Sequence, residues 1–114
     1  MTITRYEFGH IEIDGQNYDQ DVIVYDHMID SPWWRQQGHN LFINDLTRIL
    51  EEQPEVLIVG TGFYGRMQVS DELLSELRKQ GIEPQVFTTQ KAVEEFNQLQ
   101  QQHKHVAAAL HLTC

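Results

Sequence analysis

The chain has 114 residues and a formal net charge of −9 at pH 7, from 17 acidic and 8 basic residues. A chain of this length can bury one core but has no room for two lobes, so we interpret residues 1–114 as a single domain. Nucleic-acid affinity comes largely from Lys and Arg that neutralise phosphates, and the sequence has no basic cluster. We therefore expect neither nucleic acid nor an anionic membrane as a partner.

The sequence carries no signal for export or membrane insertion. Its first 15 residues lack a long apolar run and a basic n-region, and no window approaches the roughly 18 apolar residues of a membrane-spanning helix. The single cysteine, Cys114, cannot form a disulfide within the chain, which fits a reducing compartment. We expect a cytoplasmic protein.

The first third of the chain predicts β structure. Apolar residues alternate with period two over 8–13, and Asp14-Gly15 is a strong tight-turn dipeptide. A short β-branched strand follows over 21–26, so this part predicts a small antiparallel hairpin or meander. Residues 26–43 are irregular and contain Pro and Gly, and we interpret them as a long loop.

The rest of the chain alternates between helix and strand. The predicted helices lie between Asn44 and Pro54, between Ser70 and Gly81, and from Thr88 or Thr89 to the glutamines at 100–102; the predicted strands are 55–60, 85–88 and 106–112. This alternation implies a mostly parallel sheet covered by helices, preceded by the β segments of the first third.

The segment Val56–Met67, VLIVGTGFYGRM, has the spacing G-x-G-x-x-G. In dinucleotide-binding folds this spacing forms a loop that cradles a pyrophosphate. That role requires the next helix to begin inside the loop and an acidic residue to follow the next strand. Here the predicted helix cap is Ser70, five residues beyond Gly65, and the next strand ends without a carboxylate.

Charge also argues against a pyrophosphate. Asp71 and Glu72 open the following helix, where they satisfy its dipole and would repel a phosphate. We therefore interpret the glycines as turn residues and predict no cofactor. A small ligand remains an open hypothesis, because open α/β sheets bind ligands beyond the carboxyl ends of their strands. Its binding residues would be Gly60, Thr61, Gly62, Phe63, Tyr64 and Arg66, the last facing an anionic group.

Three histidine-containing groups are candidates for a reactive or metal site. His103 and His105 form H-x-H, which suits a metal only with further ligands, and the sequence does not show them converging, so we predict no metal site. Asp26 and His27, with Asp30 nearby, would be an acid–base pair, but neighbours on a strand point to opposite faces.

The ending His111-Leu112-Thr113-Cys114 suggests a cysteine–histidine pair. A reactive thiolate needs a lowered pKa and a base held beside it, and a cysteine at the end of a strand provides neither by itself. We interpret Cys114 as a small residue that ends the last strand, and we predict no catalytic residue.

Trp33-Trp34-Arg35 is a candidate interface, because tryptophan and arginine commonly anchor interfaces. Alternatively, one tryptophan covers the open side of the sheet while the other is half buried. The sequence leaves both interpretations open.

Several motifs together resemble one family. They are Trp34-Arg35-x-x-Gly38-His39, Leu57-Ile58-Val59-Gly60-Thr61-Gly62, Leu77-x-x-x-Gly81-Ile82, Ala92-Val93-x-x-Phe96-Asn97 and the ending VAAALHLTC over 106–114. This combination resembles the adipogenesis-associated Mth-type domain family, whose relatives include a mitochondrial assembly factor for respiratory complex I and many small proteins of unknown function. The likeness covers nearly the whole chain.

The resemblance implies a three-layer α/β fold with a mixed central sheet and supplies no catalytic residues. It marks the glycine loop, Arg35 and the ending His111-x-Thr113-Cys114 as shared motif positions. The complex I role is not transferred, because nothing in the sequence resembles a mitochondrial presequence.

Two functions remain open. The first is a non-enzymatic binding or assembly module, whose acidic surface suits a basic or neutral protein partner; a homodimer also fits so small a protein. The second is a small-ligand binder or enzyme that uses the loop Gly60–Arg66. A pocket lined by Phe63 and Tyr64 would favour the second, and a flat surface carrying Trp33 or Trp34 would favour the first.

Overall fold

A computed structural model describes residues 1–102 and 104–114. Its strands are β1 (Ile3–Glu7), β2 (His10–Ile13), β3 (Gln16–Tyr18), β4 (Val22–Val24), β5 (Ile29–Asp30), β6 (Val56–Gly60), β7 (Glu83–Phe87) and β8 (Val106–Leu110). Its helices are α1 (Thr47–Glu52), α2 (Asp71–Lys79) and α3 (Thr89–Gln101), and one turn of 3₁₀ helix (Ile43–Leu46) precedes α1. No helix of the described residues is both long enough and apolar enough to cross a bilayer.

The central sheet is mixed and has the strand order β5-β4-β8-β6-β7. Its three longest strands are parallel, since β6 pairs in parallel with both β7 and β8. Strand β4 pairs antiparallel with β8 and with β5. The predicted α/β class, with a mixed and mostly parallel central sheet, is confirmed.

The N-terminal strands β1, β2 and β3 form a separate antiparallel meander, as predicted. Asp14 and Gly15 both have positive φ, 49° and 81°, and connect the paired residues Ile13 and Gln16. This conformation matches the right-handed twist of the strands that it joins, which is why the dipeptide is a reliable turn signal. The segment over 21–26 was wrongly grouped with the meander, because β4 pairs with β8 in the central sheet.

The fold has three layers, because each face of the central sheet is covered. Strand side chains alternate between the faces, so Ala107 and Ala109 point to one side and Ala108 and Leu110 to the other. One face packs against Leu46, Ile49, Leu73 and Leu77 from the helical segments before β7. The opposite face packs against Ala92, Val93 and Phe96 of α3 and against Ile3, Ile11 and Ile13 of the meander.

Helix α2 has the ends that the sequence predicts. The Ser70 hydroxyl accepts a hydrogen bond from the Leu73 amide at 3.1 Å and caps the helix. Acidic residues occupy its first turn and basic residues its last, which complements the helix dipole.

The start of the first helix differs from the prediction. Asp45 lies in the 3₁₀ turn, and its carboxylate accepts hydrogen bonds from the backbone amides of Phe42, at 2.9 Å, and Gln36, at 3.1 Å. The carboxylate thereby ties the preceding loop to the 3₁₀ turn, and the α-helix begins only at Thr47.

Candidate functional site

The glycine loop after β6, residues 60–66, is filled by the C-terminal residues. The amide of Phe63 donates to the carbonyl of Thr113 at 2.6 Å, and the amide of Arg66 donates to the main-chain oxygen of Cys114 at 2.9 Å. Gly62 has a φ of +116°, and a Cβ at this residue would lie 2.6 Å from the Cys114 oxygen. Only glycine fits so close to another backbone. Two loop amides of the kind that would bind a phosphate therefore already have acceptors within the chain.

Thr89, the first residue of α3, connects the loop to β8. Its buried hydroxyl donates to the carbonyl of His111 at 2.6 Å and accepts from the amide of Gly62 at 2.8 Å. Its own amide donates to the carbonyl of Gly62 at 3.1 Å. The helix that begins against the loop is thus α3, although the sequence argument considered only the helix that begins at Ser70.

An exposed aromatic surface adjoins the filled loop. We define it by Phe8, Phe63 and Tyr64, which are 49%, 45% and 64% exposed. The ring of Phe8 lies 5.8 Å from that of Phe63 and 6.1 Å from that of Tyr64, and the latter two rings are 5.1 Å apart. The guanidinium of Arg66 lies 5.9 Å from the Tyr64 ring. Two segments distant in sequence, the β1–β2 turn and the glycine loop, therefore build one contiguous surface.

The aromatic surface rests on the C-terminal residues. The amide of Gly9 and the hydroxyl of Tyr6 both donate to the carbonyl of Leu112, at 2.9 and 2.8 Å. The Tyr6 ring also lies 6.3 Å from that of Phe63. Burial raises the pKa of Tyr6 to about 12, so this hydroxyl remains a donor at neutral pH. These two bonds hold the β1–β2 turn, which carries Phe8, whereas the bond from Phe63 to Thr113 holds the glycine loop.

A buried charged cluster lies beside the end of β8. The carboxylate of Asp21 accepts from the guanidinium of Arg35 at 2.6 Å and from the amide of Leu112 at 2.8 Å. Its Oδ2 also lies 2.8 Å from Nδ1 of His111. Burial by itself raises the pKa of Asp21, but the hydrogen bonds from His111, Leu112 and Arg35 outweigh it and hold the pKa below its ordinary value.

The cluster joins His111 and Leu112 to side chains from the first third of the chain. Nδ1 of His111 faces Asp21, while its Nε2 is buried and has no hydrogen-bonding partner among the described residues. Within the described residues, Cys114 therefore makes no hydrogen bond to that nitrogen. What the cluster does is tie Leu112 to the residue that precedes β4.

The three residues of the candidate interface occupy different environments. Trp33 is buried and donates its indole N–H to the carbonyl of Asp45 at 2.9 Å. Arg35 stacks on the Trp33 ring, 4.7 Å from its centroid, and belongs to the Asp21 cluster. Trp34 is 75% exposed. An interface at Trp33, Trp34 and Arg35 stays a prediction, and Trp34 is the member with an accessible ring.

Asp26 and His27 do contact each other, contrary to the argument from strand geometry. Strand β4 ends at Val24, so the two residues need not point to opposite faces. Nδ1 of His27 lies 2.6 Å from Asp26, and its Nε2 lies 3.2 Å from Glu52. The hydrogen bond from His27 lowers the pKa of Asp26. All three side chains are solvated, which is typical of a surface charge network.

The H-x-H motif at His103 and His105 falls only partly within the described residues. His103 lies outside the described residues, and Nε2 of His105 lies 3.9 Å from Asp26. Over 1–102 and 104–114, no three histidine, cysteine or acidic residues are grouped so that they could hold a metal ion.

Sequence reasoning missed three residues that define this end of the molecule: Tyr6, Phe8 and Asp21. The apolar alternation predicts a strand at Phe8, although this residue lies in the turn before β2. The sequence predicts Asp21 as the first residue of a strand, and its only local signal is that a carboxylate directly precedes an apolar run.

We predict that Gly62→Ala lowers the free energy of unfolding by about 3 kcal/mol, since the new methyl group meets the Thr113 and Cys114 carbonyls at a positive φ. Gly15→Ala is the matched control, because its φ is also positive but nothing lies within 4 Å of its Cβ position. It should cost about 1 kcal/mol. Equal losses for the two variants in urea denaturation would contradict the close contact at Gly62.

We predict that Asp21→Asn lowers the free energy of unfolding at neutral pH by about 3 kcal/mol, because it leaves Arg35 buried without its counter-ion. Asp19→Asn, which removes an exposed contact with His10, should lower the free energy of unfolding far less, because solvent screens that pair.

The same variant has a defined pH dependence. The pKa of Asp21 is lower in the folded state than in the unfolded state, so the folded state binds fewer protons in acid. The stabilisation that ionised Asp21 provides is complete above its ordinary pKa of 3.8. It is lost as the pH falls below 3.8 through the folded pKa. The difference in stability between wild type and Asp21→Asn should therefore narrow in acid, and a difference that widens would contradict this assignment.

Solved structures share this architecture over nearly the whole chain. A conserved hypothetical protein from Pyrococcus horikoshii is 28% identical, with a TM-score of 0.80 over 100% of both chains. A Bartonella henselae protein described as an outer membrane protein is 28% identical, with a TM-score of 0.83 over 98% of this chain and 94% of its own. A Mth938-like domain from Bordetella pertussis is 22% identical and shares the fold. The TM-score is 0.71 over 97% of this chain and 85% of its own.

A family model described as "Protein of unknown function (DUF498/DUF598)" matches residues 3–111. Together with the Mth938-like neighbour, this match confirms the resemblance to the Mth-type domain proteins. The chain belongs to the DUF498/DUF598 family of proteins of unknown function.

Proposed function

We propose that this protein is a non-enzymatic binding module that presents the aromatic surface to a protein partner. The observation that carries the proposal is the contiguity of three exposed rings, Phe8, Phe63 and Tyr64, on backbone that the C-terminal residues hold in place. Contiguous exposed apolar surface is uncommon on proteins that act alone, and aromatic side chains dominate the energetics of interfaces.

The way the surface is held also supports binding. Its two segments are fixed by hydrogen bonds to Leu112 and Thr113, so little conformational entropy is lost when a partner docks. Arg66, stacked beside Tyr64, adds a side chain that is common at interfaces. A net charge of −9 favours a partner that is neutral or basic.

The alternative, a small-ligand binder or enzyme at the glycine loop, has less support. The amides of Phe63 and Arg66 already donate to carbonyls of the chain, and Phe63 and Tyr64 face outward rather than into a pocket. Three cavities found in the described part of the chain are lined by other segments.

We propose the cytoplasm as the location, which a single cysteine suits. Because a relative from Bartonella henselae is described as an outer membrane protein, cell fractionation is the direct test. Recovery in the membrane fraction would contradict the proposal.

A photo-crosslinking amino acid placed at Tyr64 tests the binding surface in living cells. We expect a crosslinked protein at this position and none at Val86, an exposed residue of β7 that serves as the control site. Adding Phe63→Ser should reduce the yield by about tenfold, because it removes the neighbouring ring from the interface.

A third position separates this surface from the interface predicted on the tryptophans. Crosslinking at Trp34 without crosslinking at Tyr64 would overturn the proposal in favour of the tryptophan loop. Equal yields at Tyr64 and Val86 would show that no specific partner contacts the aromatic surface.

Thermal melting tests the small-ligand alternative. We expect NAD, ATP and acidic metabolites to leave the melting temperature unchanged, because the loop amides are occupied. A ligand at a hundredfold excess over its dissociation constant would stabilise the protein by about 2.7 kcal/mol. Such a shift, abolished by Gly62→Val in a variant that still folds, would replace the binding-module proposal with the ligand-binding one.

A further inference from the structure

We propose a second binding site, an acidic groove that takes a protein segment with an apolar side chain next to Lys or Arg. The acidic groove lies between residues 40–43 and the first half of α2. It consists of two adjoining cavities of about 390 and 200 Å³ that share Leu41, Phe42, Ser70 and Glu72. It has no residue in common with the aromatic surface.

The floor and one wall of the groove are apolar. The apolar lining residues are Leu41, Phe42, Ile43, Val69 and Leu73. Leu41 and Leu73 are buried, whereas Phe42 is a large ring that stays substantially exposed beside them. An exposed ring next to an open apolar cavity is a place where a partner's side chain can remove apolar surface from water.

The walls of the groove are fixed by backbone hydrogen bonds. The amide of Leu41 donates to the carbonyl of Gln68 at 3.0 Å, and the amide of Gln68 donates to the carbonyl of His39 at 2.7 Å. On the other side, Ser70 caps α2, and Asp45 holds the amide of Phe42. The groove therefore exists before a partner binds.

The charge of the rim selects the partner. Glu72 and Glu76 line the groove one helical turn apart, so their carboxylates lie on the same face of α2. Within 1–102 and 104–114, neither has a cationic side chain within 4 Å, whereas Arg78 of the same helix pairs with Glu83. Two carboxylates without counter-ions beside an apolar cavity complement a Lys or Arg that flanks an apolar residue.

Other occupants fit the groove less well. An acidic ligand would be repelled by the rim, and a second copy of this chain carries the same net charge of −9. The cavities are open and small, which suits one or two inserted side chains of a peptide better than an enclosed cofactor.

Fluorescence anisotropy with a labelled amphipathic peptide of Leu and Lys tests the groove. We expect this peptide to bind the full chain, and two companion peptides, one with Glu in place of Lys and one with Ser in place of Leu, to bind at least about tenfold more weakly. If the Ser-containing peptide binds as tightly as the Leu–Lys peptide, general charge attraction explains the binding, and the proposal is overturned.

Matched variants locate the site. Glu72→Gln with Glu76→Gln should weaken binding of the Leu–Lys peptide by about tenfold, and Phe42→Ser by a similar factor. The control is Glu51→Gln with Glu94→Gln, which changes the net charge equally at two exposed positions that lack ion pairs in the described part of the chain. Equal weakening by both pairs of substitutions would overturn the site.

Two further measurements separate the remaining outcomes. The double variant Phe63→Ser and Tyr64→Ser should bind the Leu–Lys peptide as tightly as the wild type. The acidic groove is therefore tested independently of the aromatic surface. If sedimentation shows a wild-type dimer that Phe42→Ser dissociates, the groove is occupied by a second copy and the proposed partner is wrong. Circular dichroism melting confirms that each variant is folded before binding is compared.

Discussion

Residues 111–114 contact almost every element at the carboxyl end of the central sheet. Their carbonyls accept from the amides of Phe63 and Arg66 and from the hydroxyl of Thr89, which joins the glycine loop and α3 to β8. Leu112 binds the β1–β2 turn through its carbonyl and the carboxylate of Asp21 through its amide. The close approach of two backbones at Gly62 makes this arrangement possible, because a side chain there would occupy the space of the Cys114 carbonyl. Because the C-terminal residues fill the inner side of the loop, Phe63 and Tyr64 lie on its outer side.

Charged side chains have different roles inside the protein and on its surface. The Arg35 guanidinium is used inside the protein against Asp21, while acidic side chains dominate the outside. The two exposed regions that are suited to binding differ accordingly: the aromatic surface carries Arg66, and the acidic groove carries Glu72 and Glu76. A small domain with two such regions can contact two different segments of a partner, which is consistent with a binding role and requires no catalytic group.

Local signals predicted local structure well. The Asp14-Gly15 turn, the Ser70 cap and the apolar run of β6 each depend on neighbours within a few residues, and all three are present. The site depends on contacts between residues far apart in sequence. The acidic opening of α2 can be read from the sequence, but nothing near Gly62 in the sequence shows that Thr113 and Cys114 fill the loop. Asp21 and Phe8 show no local signal for the same reason, since Asp21 contacts Leu112 and Phe8 contacts Phe63 and Tyr64, all far away in sequence.

The whole arrangement requires that the amides of Phe63 and Arg66 donate to the main-chain oxygens of Thr113 and Cys114. Amide hydrogen exchange of Phe63 and Arg66, followed by NMR before and after addition of NAD, measures this. We expect both amides to be protected, in contrast to the amides of exposed turns, and we expect NAD to leave their resonances unchanged. Rapid exchange at both amides, or resonances that move on titration with NAD, would contradict it.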